Sequence, residues 1–290
     1  MNLFFFGMGY SSLATAKAVH ELVDPNAAIA GTRRSEEGCE RLAESPYRLH
    51  IFDGVAPGPT LSPDLRAATH LVLSIPPGEH GDPALALHRS DIDAAAGLQW
   101  LCYFSTVGVY GDFNGGWIDE TAPTHPINER SRHRVEAEVA WRDYAQSRGL
   151  PLLILRLAGI YGPGRSSFDK LREGTARRIV KPGQVFNRIH VEDIGRVTQL
   201  AAQRRLAGTF NLADDEPAPP QDLVTYAAEK LGMAPPAEIA FDKAEMTPMA
   251  RSFYSDNKRV SNKAIKQALG IDLLYPTYVQ GLDAILEDRS

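Results

Sequence analysis

Residues 3–12, Leu3-Phe4-Phe5-Phe6-Gly7-Met8-Gly9-Tyr10-Ser11-Ser12, decide how this chain folds. Four apolar residues make a short buried strand, two glycines turn it, and Ala14, Ala16, Ala18 and Val19 continue as a helix. A helix that starts at such a turn has unpaired N–H groups, which together with its dipole favour a pyrophosphate. Gly7 permits the tight turn, and Gly9 lets phosphates approach without a Cβ in the way. The third small position holds Ser12, so the pattern is Gly-x-Gly-x-x-Ser, and Tyr10, Ser11 and Ser12 join the glycines as cofactor-binding candidates. The competing reading is an ordinary strand–helix turn. The strand–turn–helix context favours a dinucleotide site.

The end of the next strand bears on which dinucleotide. Residues 27–31 read as a short buried strand, followed by Thr32-Arg33-Arg34. In NAD-preferring sites an acid here takes the ribose 2′-hydroxyl. This chain has two arginines instead, and a guanidinium pairs with a 2′-phosphate that a carboxylate would repel. The alternative is a pair of solvated arginines neutralised by Glu36 and Glu37. The position favours NADP, with NAD as the second choice.

A chain of 290 residues with 43% hydrophobic content can hold one large α/β domain or a domain with an appended lobe. No apolar run is long enough to span a bilayer, and a strand beginning at residue 3 leaves no room for a signal peptide. Cys39 and Cys102 have no metal-ligand spacing, so reduced thiols and a cytoplasmic location are expected, with no metal site. A net charge of −5 gives no general attraction to nucleic acid or an anionic membrane.

Regular alternation follows. A helix is expected over 36–43, a strand over 47–52, a helix over 63–68 and a strand over 70–75. A helix over 83–96, a strand over 100–105, a long helix over 128–148 and a strand over 152–157 come next. Strands separated by helices predict a doubly wound, Rossmann-type parallel sheet with ligands at its carboxyl edge. Asp53, Ser74 and Pro76 fall at that edge as cofactor candidates, Asp53 serving either an adenine amino group or a turn. The pattern predicts a dinucleotide-binding domain over 1–160. A smaller substrate lobe over 161–290 would return some elements to the core.

Several motifs resemble the extended short-chain dehydrogenase/reductase superfamily, in its NAD-dependent epimerase/dehydratase group. They are Ser105-Thr106-Val107-Gly108-Val109-Tyr110-Gly111, Asp119-Glu120-Thr121-Ala122-Pro123, the Tyr161-Gly162-Pro163-Gly164-Arg165 element, Arg188-Ile189-His190-Val191-Glu192-Asp193 and Asn211-Leu212-Ala213-Asp214. In that family a Tyr-x-x-x-Lys pair on the long helix handles protons beside a Ser or Thr. Alignment on Val135-Glu136-Ala137-Glu138 puts Arg130 at the tyrosine position and Arg134 at the lysine position. Arginine stays charged and cannot cycle a proton, so the chain resembles atypical members that keep the fold and lose the tyrosine.

Ser105 and Thr106 are then the candidate hydroxyl donors, with Tyr110 and Tyr161 expected in loops overhanging the site. Arg130 and Arg134 are candidates to hold an anionic group, and His133 and His190 are further titrating candidates. Tyr161, Arg165 and Arg188 are the substrate-binding candidates, against the commoner fate of arginine in surface pairing. The resemblance implies a homodimer paired through the long helices and an NADP-dependent oxidoreductase or epimerase acting on a small polar or anionic substrate. The alternative is a non-catalytic dinucleotide-binding module that reports redox state.

Overall fold

The computed structural model describes residues 1–287. Its first half runs β1 (Asn2–Phe6), α1 (Tyr10–Leu22), β2 (Ala28–Arg33), α2 (Glu36–Glu40), β3 (Arg48–Ile51), α3 (Ser62–Arg66), β4 (His70–Leu73), α4 (Pro83–Asp93), β5 (Trp100–Thr106), β6 (Trp117–Ile118) and α5 (Glu129–Arg148). It continues through β7 (Leu152–Leu157), β8 (Gly159–Tyr161), α6 (Ser167–Arg172), β9 (Arg178–Val180), β10 (Arg188–His190), α7 (Val191–Arg204) and β11 (Gly208–Leu212). The last elements are α8 (Pro220–Lys230), β12 (Glu238–Ala240), α9 (Pro248–Ser252), β13 (Arg259–Val260), α10 (Lys263–Leu269) and α11 (Tyr278–Glu287).

Seven strands form one sheet in the order β11-β7-β5-β4-β1-β2-β3. β1 lies between β4 and β2, pairing in parallel with both, and β2–β3 and β4–β5 are parallel as well. This is the doubly wound architecture expected from the alternation. Phe4, Phe5 and Phe6 are fully buried, as a strand covered on both faces requires. β2 runs through Arg33, two residues beyond the expected end. Arg33 is therefore held by the sheet at its carboxyl edge and does not sit in a free loop.

The helices carry signals that explain their ends. Asp82 caps α4 by accepting from the N–H groups of Ala84 and Leu85, with Pro83 at the first helical position. Asn128 caps α5 by accepting from the Ser131 N–H, and Gly149 ends it in the left-handed conformation. α5 buries Trp141 and Tyr144 in the core that includes Phe4, Phe6, Leu71 and Leu101.

The chain divides into two compact units. One comprises residues 1–109, 128–156 and 194–210; the other comprises 110–127, 157–193 and the described residues from 211 on. In the second unit, β8 pairs with β10, β9 with β12 and β6 with β13, each in parallel. The Asp193 carboxylate there accepts from the backbone N–H groups of Leu274 and Tyr275. Among the described residues no helix is long and apolar enough to cross a membrane, and no group of three His, Cys, Asp or Glu could hold a metal. Cys39 and Cys102 are free thiols, and burial pushes the Cys102 thiol well up.

One buried polar network ties the first unit together. The Glu138 carboxylate, 1% exposed, takes two hydrogen bonds from Arg156 at 3.1 and 2.8 Å, one from Arg142 at 3.0 Å and one from the Ser105 hydroxyl at 2.6 Å. It thus joins α5, β5 and β7. Replacing Glu138 with Ala strips the buried Arg156 guanidinium of its bidentate partner, and a broken buried pair costs about 3–5 kcal/mol. Urea unfolding of Glu138→Ala should show a loss of that order. A loss below about 1 kcal/mol would mean that the network does not hold these elements together.

Candidate active site

A cavity of about 310 Å³ opens where β1, β2 and β4 end, lined by Gly7, Met8, Gly9, Thr32, Arg33, Arg34, Asp53, Ser74, Ile75 and Pro76, among others. Gly7 has φ +94°, and a Cβ there would stand 2.9 Å from the Ile75 side chain. Its N–H is held by the Thr32 hydroxyl at 2.9 Å, and the Met8 N–H by the Thr32 carbonyl at 2.7 Å. Gly9 caps α1 with no side-chain hydrogen bond, and nothing lies within 4 Å of where its Cβ would be. An uncapped helix start beside open space offers N–H groups to an anion. Tyr10, Ser11 and Ser12 open the helix, with Ser11 and Ser12 buried on its inner face. They do not line the cavity, so only backbone N–H groups of this turn are placed to meet a phosphate.

Across the cavity, Arg33 lays its guanidinium over the glycine turn, donating to the Met8 carbonyl at 2.5 Å. Arg34 is exposed on the same wall. Among the described residues neither arginine pairs with a carboxylate, and Glu37 pairs with Arg41 instead. Asp53 accepts from the Val55 N–H through Oδ1 at 2.8 Å, so it serves the turn while facing the cavity.

The candidate catalytic hydroxyls part company. The Ser105 hydroxyl points inward to Glu138, whereas Thr106 Oγ1 accepts from the Gly108 N–H at 3.1 Å and keeps its own proton to donate. Successive residues of a strand point to opposite faces. Ser105 therefore cannot serve as a carbonyl-polarising donor while this network stands.

Tyr110 and Tyr161 do not overhang anything. Tyr110 is fully buried and donates to Asn211 at 2.7 Å, and Tyr161 is 6% exposed against the ring of His190. Burial pushes the Tyr161 phenol up, away from acid–base use near neutrality. Arg188 is likewise interior, donating to the carbonyls of Phe186 and Ala218, which removes it from the substrate-binding candidates. Arg165 is exposed.

On α5, Arg130 is exposed and makes no ion pair among the described residues, while His133 is half-buried. Arg134 is half-buried and donates through Nη1 to the Phe104 carbonyl at 2.8 Å and the Tyr103 hydroxyl at 3.1 Å. It also reaches the Ile75 carbonyl at 3.5 Å. It thereby braces the ends of β4 and β5 beside the cavity. The helix holds no Tyr-x-x-x-Lys pair, its one tyrosine being Tyr144. Ser131 is buried on α5 one turn before Arg134.

The sequence model of the NAD dependent epimerase/dehydratase family matches residues 86–213. A functionally unknown conserved protein from Silicibacter pomeroyi DSS is 46% identical, with a TM-score of 0.89 over 99% of this chain and 98% of that one. Protein YeeZ of Escherichia coli K12 is 28% identical over 220 residues, 72% of this chain and 77% of that protein. The UDP-glucose 4-epimerase of Thermus thermophilus, solved with NAD, shares the fold at 17% identity. Its TM-score is 0.75 over 99% of this chain and 98% of that one.

Two outcomes are expected here. In Gly9→Val the side chain enters open space, so the fold should persist while calorimetry shows dinucleotide binding lost; retained affinity would remove this turn from the site. In the second unit, burial pushes Asp214 up to about 8 despite the opposing pull of Arg188. The native state then holds a proton that the unfolded chain has released, so this group makes stability fall as pH rises from about 4 to about 8. Asp214→Asn should flatten that dependence in unfolding measurements, and an unchanged slope would contradict it.

Proposed function

We propose that this chain, whose residues 86–213 match the model of the NAD dependent epimerase/dehydratase family, binds NADP in preference to NAD and acts on a small polar or anionic substrate as an oxidoreductase or epimerase. One observation carries the cofactor choice: Arg33 and Arg34 line the cavity at the end of β2 without a carboxylate partner, where an acid would select the 2′-hydroxyl. The glycine turn and the start of α1 would take the pyrophosphate, and Arg33 and Arg34 the 2′-phosphate. Asp53 would face the adenine. The cofactor, when bound, supplies hydride chemistry. The protein's part is to hold a substrate oxygen through Thr106 and to supply fixed positive charge from Arg130 and Arg134.

A second reading, a non-catalytic module that reports dinucleotide levels, is favoured by the absence of Tyr-x-x-x-Lys from α5 and by the interior placement of Ser105, Tyr110 and Tyr161. Turnover separates the two: NADPH consumption across a panel of carbonyl compounds would mark an oxidoreductase, inversion of a hydroxyl-bearing carbon with no net NADPH consumption an epimerase, and neither a non-catalytic module.

Changing Arg33 and Arg34 together to Ala should weaken NADP roughly ten- to a hundredfold, the worth of a charge-assisted contact, and NAD far less. Calorimetric titrations of both cofactors against both proteins give the comparison. Equal weakening would reduce the arginines to surface charge.

A further inference from the structure

His88 is 1% exposed and stands where α4 departs from helical dihedral angles, with φ −126° and ψ 16°. Both of its ring nitrogens are engaged. Nε2 lies 3.0 Å from the Gly58 nitrogen, and Nδ1 lies 3.1 Å from Asp91 Oδ2. A backbone N–H can only donate, so Nε2 accepts, the ring is neutral and its proton sits on Nδ1, facing Asp91. Asp91 is fit to receive it. Burial opposes its charge, but hydrogen bonds from His88, Ser62 and Arg66 outweigh burial and hold the carboxyl below its ordinary range. The Ser62 hydroxyl donates to Oδ2 at 2.8 Å and Arg66 Nε to Oδ1 at 2.9 Å.

What this ring holds is one wall of the cavity. Residues 52–61 join β3 to α3, and Phe52, Asp53 and Gly54 line the cavity together with Pro83 of α4. The imidazole meets Phe52 edge-to-face with 5.0 Å between ring centroids, and Phe6 lies at 5.7 Å. The Phe52 N–H donates to the Arg33 carbonyl at 2.8 Å. His88 therefore backs the lining from behind and pins the same segment at Gly58. A second histidine holds the segment on different terms. His50 bridges Asp64, which also binds Arg48, and the Thr60 hydroxyl, each at 2.9 Å. A hydroxyl can donate or accept, so Thr60 suits either charge state of His50. The Gly58 N–H has no such freedom. Asp53 turns to the Val55 N–H, and among the described residues the charged group touching the His88 ring is Asp91.

We propose that His88 is a positioning residue for the adenine side of the cavity: as a neutral acceptor it fastens residues 52–61, and proton uptake by its ring releases them. The proposal rests on the dinucleotide reading above, in which Asp53 faces the adenine. A protonated ring would set an Nε2–H against the Gly58 N–H, two buried donors face to face, and one of them must give way. A dinucleotide would bind the fastened form, so its affinity should fall as the ring takes up its proton at lower pH.

The probe is adenosine 2′,5′-bisphosphate, which carries the half of the cofactor that this wall would meet. His88→Leu removes the acceptor, and His88→Gln keeps an amide oxygen that accepts and does not titrate. At pH 8 the Leu variant should bind the probe roughly three- to tenfold more weakly than wild type, as for loss of one hydrogen bond, and the Gln variant should bind like wild type. From pH 8 to pH 5.5 wild type should fall towards the Leu variant while Gln keeps its advantage. The probe's own phosphates titrate alike against all three proteins, so the ratios carry the result. Hydrogen exchange of the Gly58 amide gives a reading without ligand: protected in wild type at pH 8, and losing protection on acidification more than in His88→Gln. Should His88→Leu fail to fold, wild type against His88→Gln supplies both comparisons. A Leu variant that binds like wild type, or a ratio of wild type to Gln and a Gly58 protection that do not change with pH, overturns the proposal. A wild type that does not bind the probe sinks the dinucleotide reading instead, and Gly58 exchange then decides whether His88 fastens the segment.

Discussion

Residue 7 has to be glycine, and the site is built around that fact. With φ +94° and the Ile75 side chain 2.9 Å from any added Cβ, no other residue fits without strain. Three strands meet at this turn. The Gly7 and Met8 N–H groups are held by Thr32 at the end of β2, and the Ser74 N–H by Phe6 at the end of β1. The Gly9 N–H is held as well, by the Gly7 carbonyl at 2.8 Å, so an anion at this turn would have to be met by N–H groups of the first turn of α1. The same turn accepts Arg33 through the Met8 carbonyl, which ties the arginine wall of the cavity to the glycine turn.

The second constraint is the use of hydroxyl groups. β5 ends in two of them, and the pleat sends one to the interior and the other to the carboxyl edge. Glu138, surrounded by two arginines, draws the Ser105 proton inward. That arrangement suits stability, since a buried carboxylate needs its lone pairs satisfied. At the sheet edge this leaves the Thr106 hydroxyl, with the Arg134 guanidinium beside the ends of β4 and β5. A hydroxyl does not cycle a proton near neutrality unaided, so proton exchange would need the substrate's own acidity, water or the cofactor.

Much of this was legible in the residues. Alternating apolar runs and helical stretches read directly as a parallel sheet, because β1 and β4 are buried on both faces and the helices α4 and α5 that follow are capped by Asp82 and Asn128. The glycine turn and the paired arginines were legible for the same local reason. The hydroxyl partners were not. Residues 100–105 form a continuous buried run, and without alternation the sequence does not tell which of Ser105 and Thr106 faces inward. Tyr110 and Tyr161 belong to loop-like motifs, yet their rings fill the interior of the second unit, a matter of tertiary packing that no local pattern carries.

The central claim is that the turn after β1 and the arginines after β2 form one dinucleotide site that reads a 2′-phosphate. Its most direct measurement is calorimetric titration of the unmodified protein with NADP and with NAD at low and high salt. NADP should bind at least about tenfold more tightly at low salt, and the gap should narrow as ionic strength rises. Equal affinities, or a preference for NAD at every salt concentration, would contradict it.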